Sequence, residues 1–134
     1  KMIPKFRAYS VKENIMYYPD EDKNVEWTID DDTGFIAPLI NLGNGMWGMI
    51  DKYVLMQSTG LKDKNGVEIF EGDVLYYIPF ESHINDSIVV FEKGSFCTQM
   101  LRNGKLTSVR FIDSEEYEVI GNIHENPELL EGAE

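Results

Sequence analysis

STGLKDKNGVEIFEGDVL, residues Ser58 to Leu75, decides the reading of this chain. Its glycines fall six apart, at Gly60, Gly66 and Gly72. A phosphate-cradling loop sets its glycines between a strand and the first turn of a long helix, where backbone N–H groups and the helix dipole meet the anion. Here each glycine is followed by another strand-like or polar stretch. Asn65-Gly66 is a strong two-residue hairpin signal, because a type I′ turn needs positive φ at both central positions. Glu71-Gly72-Asp73 reads as a second tight turn, and Val74 to Ile78 as a strand rich in aromatic and β-branched residues. The motif therefore turns the chain, with Gly60, Asn65, Gly66 and Gly72 as the structural turn residues.

The same rhythm continues outward. Pro79 to Ser87 reads as a loop. Ile88 to Glu92 and Phe96 to Leu101 flank Lys93-Gly94-Ser95, Asn103-Gly104 gives a second Asn-Gly turn before Leu106 to Ile112, and Tyr117 to Ile123 closes the series. Five short strands joined by tight turns predict a small SH3-like antiparallel barrel over 55–124. A short helix with an acidic tail is expected over 125–134, capped by Asn126 with Pro127 at its first position. On the N-terminal side, Phe6 to Ser10 and Asn14 to Tyr18 predict a β-hairpin stopped by Pro19. Gly34 to Gly48 shows no sustained period and reads as irregular chain, and Tyr53 to Gln57 as a strand leading into the motif. The expectation is a mainly β protein, with α+β as the alternative class, whose region 1–54 packs as a hairpin and loop-rich layer on the barrel.

A chain of 134 residues can bury a core of its own without disulfide help. The single Cys97 cannot bridge internally, and no apolar run approaches the roughly 20 residues of a membrane span. With no signal-peptide core at the N-terminus, the expected location is the cytoplasm. The net charge is −12, from 24 acidic and 12 basic residues. It concentrates in two places: residues 20–32 hold seven acids and one Lys, and residues 113–134 hold eight acids and no Lys or Arg. A duplex-binding protein neutralises about six to ten phosphates with basic side chains, so direct nucleic-acid binding is disfavoured. Membrane and cofactor partners are not expected either.

Three blocks carry a family resemblance: IPKFRAY (Ile3 to Tyr9), LMQSTGLKDKNGVEIFEGDVL (Leu55 to Leu75) and YEVIGNIHENPELL (Tyr117 to Leu130). Together, in order, they resemble the signature blocks of the YopX-like proteins of temperate phages and prophages. The resemblance implies a phage-encoded protein in the cytoplasm of a bacterial host that self-associates. The family has no assigned activity, so no catalytic residue is carried over.

Several local patterns invite chemistry. Asp32-Thr33-Gly34 is the tripeptide of aspartic proteases, but Asp30 and Asp31 precede it where an apolar strand is usual. Asp20, Asp22 and Asn24 match the first ligands of a calcium loop, yet Val25 takes the glycine position and Asp31 the place of the bidentate Glu. His83, His124 and Cys97 are too few for a zinc site, and Cys97 reads as a small strand residue. The apolar residues of the irregular segment, with Trp27, Phe35, Met46 and Trp47 foremost, are candidates for a self-association surface. Asp20, Asp22, Asp30, Asp31 and Asp32 form a candidate acidic docking face for a basic host or phage protein, with imitation of DNA's charge as its extreme form. Two function classes follow. One is a non-catalytic binding or assembly protein. The other is a small hydrolase whose carboxylate or cysteine site, at Asp32 or Cys97, is completed only in an oligomer.

Overall fold

The structure, a computed structural model, describes residues 5–19, 21–29, 34, 36–50 and 52–131. The chain divides into two compact units, residues 1–57 and 58–134.

In the first unit β1 (Phe6–Ser10) and β2 (Ile15–Tyr17) form the expected hairpin, with Tyr9 opposite Met16. Asn14, at φ +59, closes the turn by donating its N–H to the Ser10 carbonyl at 2.8 Å. Its side-chain oxygen also accepts from the Tyr9 hydroxyl. The other edge of β1 pairs antiparallel with the first half of β6 (Tyr53–Lys62), Ser10 facing Tyr53 and Phe6 facing Gln57.

The segment expected to be irregular is a three-stranded sheet instead. β3 (Val25–Ile29), β4 (Ile36–Gly43) and β5 (Met46–Met49) run antiparallel in that order. Asn44 and Gly45, at φ +54 and +76, make the type I′ turn between β4 and β5. Pro38 would ordinarily argue against a central strand. It is tolerated because its carbonyl meets the N–H of Ile50 at 3.4 Å, one residue past the end of β5, so the missing proline N–H breaks no bond within β5. Ala8, Tyr9, Val25, Ala37, Pro38, Ile50 and Met56 are buried apolar residues of this unit.

The second unit holds the rest of β6, β7 (Glu68–Phe70), β8 (Asp73–Tyr77), β9 (Ser87–Glu92), β10 (Ser95–Met100), β11 (Leu106–Ser108) and β12 (Tyr117–Asn122). Five of these form one antiparallel sheet in the order β11-β10-β9-β8-β12, curled into a half-barrel. The mainly β architecture is as expected. Ile69, Leu75 and Val89 centre its core, with Leu61, Tyr117 and Val119 packed around them.

The turns differ in detail from the expectation. Gly60 is not at a chain reversal: it lies within β6, at φ +83, where the register against β7 slips between Ser58 and Lys62. Such a bulge bends a strand without ending it. Asn65 does not adopt positive φ, and Gly66 alone does, at +80. The β6–β7 loop is therefore longer than two residues, closed by Gly66 N–H to the Asp63 carbonyl at 3.0 Å and Asp63 N–H to the Val67 carbonyl at 2.8 Å. Asn103-Gly104 likewise sits in a longer loop, with Gly104 N–H donating to the Met100 carbonyl at 2.8 Å. The two-residue type I′ turn of this unit is Lys93-Gly94, at φ +50 and +83.

Of the expected strand Leu106 to Ile112, Val109–Phe111 form a 3-10 turn. The C-terminal helix is likewise a single 3-10 turn, Pro127–Leu130. Asn126 is its N-cap, as expected, with its carbonyl accepting from Leu129 N–H at 3.0 Å, but its side-chain oxygen accepts from Asn122 N–H at 3.1 Å instead of from the turn, tying the turn back to β12.

Candidate functional site

The motif of residues 58–75 organises a joint in the half-barrel. Asp63 is 4% exposed, and its Oδ1 accepts from the N–H groups of Asn65 and Val67 at 2.8 and 2.9 Å. Its Oδ2 accepts from Val119 N–H, at 2.9 Å, on β12. Lys64 N–H adds a bond to the Tyr117 carbonyl at 3.0 Å. β12 is an edge of its sheet, and these bonds cover part of that edge. Gly72 does similar work beside β8, donating to the Val89 carbonyl at 2.8 Å and accepting from Ile123 N–H at 2.9 Å. Asp73, 1% exposed, accepts from Phe70 N–H at 2.7 Å. These carboxylates and glycines are spent on backbone groups, which is an architectural role.

Of the candidate interface residues, Met46 and Trp47 lie on β5, at 60% and 39% exposure, and Trp27 is half-buried on β3, its ring edge-on to Phe6 at 6.1 Å. Met49, from the same apolar set, and Leu42, which the sequence reading did not single out, join them at 50% and 59% exposure. β5 is an edge strand, and residues 34–50 contain no charged side chain. A signal was present: Asn44-Gly45, flanked by apolar residues, marks a hairpin whose tip must project its neighbours. Below Met49, a cavity of about 160 Å³ is lined by Ser10, Lys12, Glu13, Ile40, Met49 and Ile50.

Of the acidic docking face, Asp22 is exposed and its side chain accepts from Asn24 N–H at 2.9 Å. Asp20, Asp30, Asp31, Asp32 and Phe35 lie outside the described residues. Of the calcium-loop pattern Asp22, Asn24 and Val25 are described, with Val25 opening β3, while of the protease tripeptide only Gly34 is described. Among the described residues no group of three or more His, Cys, Asp or Glu is placed to hold a metal. No described helix is long and apolar enough to cross a membrane.

Cys97 is buried on β10, with the hydroxyl and carbonyl oxygens of Ser95 both 3.9 Å from its Sγ. His124 is half-buried, its N–H donating to Asn122 Oδ1 at 3.0 Å. His83 is not isolated. Its Nδ1 lies 2.8 Å from Asp86 Oδ2, and its ring lies 4.7 Å from that of Tyr76. Asp86 is 5% exposed, and burial raises its carboxyl above the ordinary carboxylate range, with the bond to His83 pulling the other way. The sequence reading weighed His83 with His124 and Cys97 and missed Asp86, three positions after His83 and at the end of the same turn of 3-10 helix.

Comparison with known proteins places the chain. No curated protein matches it. Among solved structures it is similar to protein EF1440 from Enterococcus faecalis, at 35% identity and a TM-score of 0.64, covering 97% of this chain and 99% of that one. It shares the fold of protein YopX from Bacillus subtilis, at 22% identity and a TM-score of 0.68, over 99% of this chain and 100% of that one. The family model described as YopX protein matches residues 5–131, and the chain belongs to that family.

Proposed function

We propose that this chain is an assembly and docking protein: copies associate through the β4–β5 hairpin, and the acidic surface receives a basic protein partner. The observation that carries the reading is the charge-free hairpin at a sheet edge, with Leu42, Met46 and Met49 each at least half exposed in a protein of net charge −12. Like-charged molecules repel, so two copies meet at least electrostatic cost where the surface is neutral. An edge strand supplies unpaired backbone groups, and Met and Trp are side chains that interfaces favour. The cavity below Met49 suits one side chain from a neighbour; at about 160 Å³ it is smaller than the roughly 300 Å³ from which small-molecule sites begin.

The acidic tracts then serve the second contact. Charge of one sign speeds encounter with an oppositely charged partner and makes it salt-sensitive. A phage origin and action in the bacterial cytoplasm fit this reading. Hydrogen exchange at several protein concentrations tests it. The β5 amides of Met46 to Met49 become protected as concentration rises, while exchange at those positions that is independent of concentration removes the hairpin as the contact.

A further inference from the structure

The docking reading rests on surface and charge; independently of it, we propose that His83 and Asp86 form an acid–base dyad whose outward Nε2 acts as general base in the hydrolysis of small uncharged esters.

The three buried aspartates of the second unit make the case by contrast. Asp63 receives three backbone N–H groups and Asp73 is held by that of Phe70. Asp86 instead meets His83 through Oδ2, while its Oδ1 is buried without a hydrogen-bond partner. The hydroxyl of the adjacent Ser87 is also buried and unpartnered. A half-satisfied buried carboxylate costs stability, and groups kept in that condition gather at functional sites.

The pair is built asymmetrically. The Asp86 side chain is 7% exposed and that of His83 66%, so the carboxylate is enclosed and the imidazole presented. An ionised carboxylate can only accept, which leaves the shared proton on Nδ1 and the Nε2 lone pair facing outward. The ring is positioned by Tyr76 behind it, and the turn by Asp86 N–H on the His83 carbonyl at 3.1 Å and Ser82 Oγ accepting from Ile84 N–H at 3.3 Å. Titratable groups in contact with the imidazole include Asp86 on its own turn and Tyr76 on β8. Glu118, opposite Tyr76 in the β8–β12 ladder, is the next acid in register and accepts from Asn65 Nδ2.

The substrate class follows from charge and surroundings. A net charge of −12 disfavours anionic substrates, and Phe80 and Ile84 are exposed on the same β8–β9 connection. In the step, a water oxygen attacks the acyl carbon as Nε2 takes a water proton. The bond to the leaving alcohol oxygen then breaks and the imidazolium returns that proton to it. The Asp86 carboxylate offsets the imidazolium charge in between. Ester and water become acid and alcohol, and nothing else is consumed.

The test is hydrolysis of p-nitrophenyl acetate by the full chain between pH 5 and 9, in wild type, His83→Gln, Asp86→Asn and His124→Gln, with folding checked by circular dichroism. His83→Gln is expected to lower the rate by about tenfold or more, and His124→Gln to leave it unchanged. Asp86→Asn is expected to lower the rate severalfold and to move the acidic limb of the pH profile to lower pH, since the imidazolium loses its counter-charge. A His83→Gln rate equal to wild type overturns the proposal. So does an Asp86→Asn protein with the wild-type rate and profile, because Asp86 would then be structural only.

Discussion

The carboxylate of Asp63 reaches Val119, 56 residues further on, accepting its N–H at 2.9 Å. The same side chain holds Asn65 and Val67, so one buried group both shapes the β6–β7 loop and fastens it to the edge strand β12.

Replacing Asp63 by Ala strands three backbone N–H groups at once. Each buried unsatisfied donor costs about 1–3 kcal/mol, and partial rescue by water reduces the sum. The expected loss is about 3 kcal/mol in urea unfolding. Asp63→Asn, which retains one carbonyl acceptor, loses less. Equal stability of Asp63→Ala and wild type removes the fastening role.

Gly121 of β12 has no room for a side chain. A Cβ there would stand 2.5 Å from Asn126 Oδ1 and 2.8 Å from Leu129 Cδ1. Asn126 cannot withdraw freely because that oxygen holds Asn122 N–H. Gly121→Ala is expected to cost about 1–3 kcal/mol, in line with overpacked sites. Gly48→Ala is the control. Its Cβ meets Leu42 Cδ1 at 2.9 Å, but Leu42 is an exposed side chain that can swing away, so thermal unfolding should change little.

Asp86 makes a pH prediction whose sign follows from its burial. Its carboxyl lies above its ordinary value of 3.8, so the folded state holds this proton more tightly than the unfolded one. That contribution to stability is complete below the unfolded value and is lost as pH rises through the folded one. Asp86→Asn removes the loss. The variant's stability should gain on wild type as pH increases from about 4, the ordinary carboxylate value, towards neutrality. Parallel stability curves across that window contradict the assignment.

Tyr17 offers a second titration. Its phenol is raised from 10.0 to about 12, first because its hydroxyl donates to Glu13 Oε1, at 2.7 Å, and then through burial and the charge of Glu13. The bond's contribution is present below pH 10 and disappears as pH rises towards 12. Glu13→Gln should bring this phenol's ultraviolet titration back towards the ordinary value. An unmoved titration would separate the shift from Glu13.

Much of the second unit was legible because its strands are short, rich in Tyr, Val and Ile, and punctuated by glycine. Turn type was less so. Asn-Gly at 65–66 and 103–104 looked like two-residue hairpins, yet Asp63 and Met100 draw those loops into longer forms through bonds the local pair does not specify. Lys93-Gly94 adopts the tight turn with a lysine at positive φ, because the flanking β9 and β10 ladder fixes its ends.

In the first unit, Pro38 and four glycines masked a three-stranded sheet that Asn44-Gly45 announced. Whether a proline breaks a ladder depends on which side its nitrogen faces, and that is a property of register. The His83–Asp86 pair was hidden for another reason: a spacing of three carries meaning only once the connection is known to turn there.

The most direct test of the assembly reading is the mass in solution, measured by light scattering on wild type and on a Met46→Lys, Met49→Lys double variant. Positive charge on the hairpin replaces an apolar contact with two desolvation penalties across each interface. The account predicts a multiple of 15.4 kDa for wild type and a folded species of 15.4 kDa for the variant. Wild type at 15.4 kDa, or a variant that keeps the wild-type multiple, contradicts it.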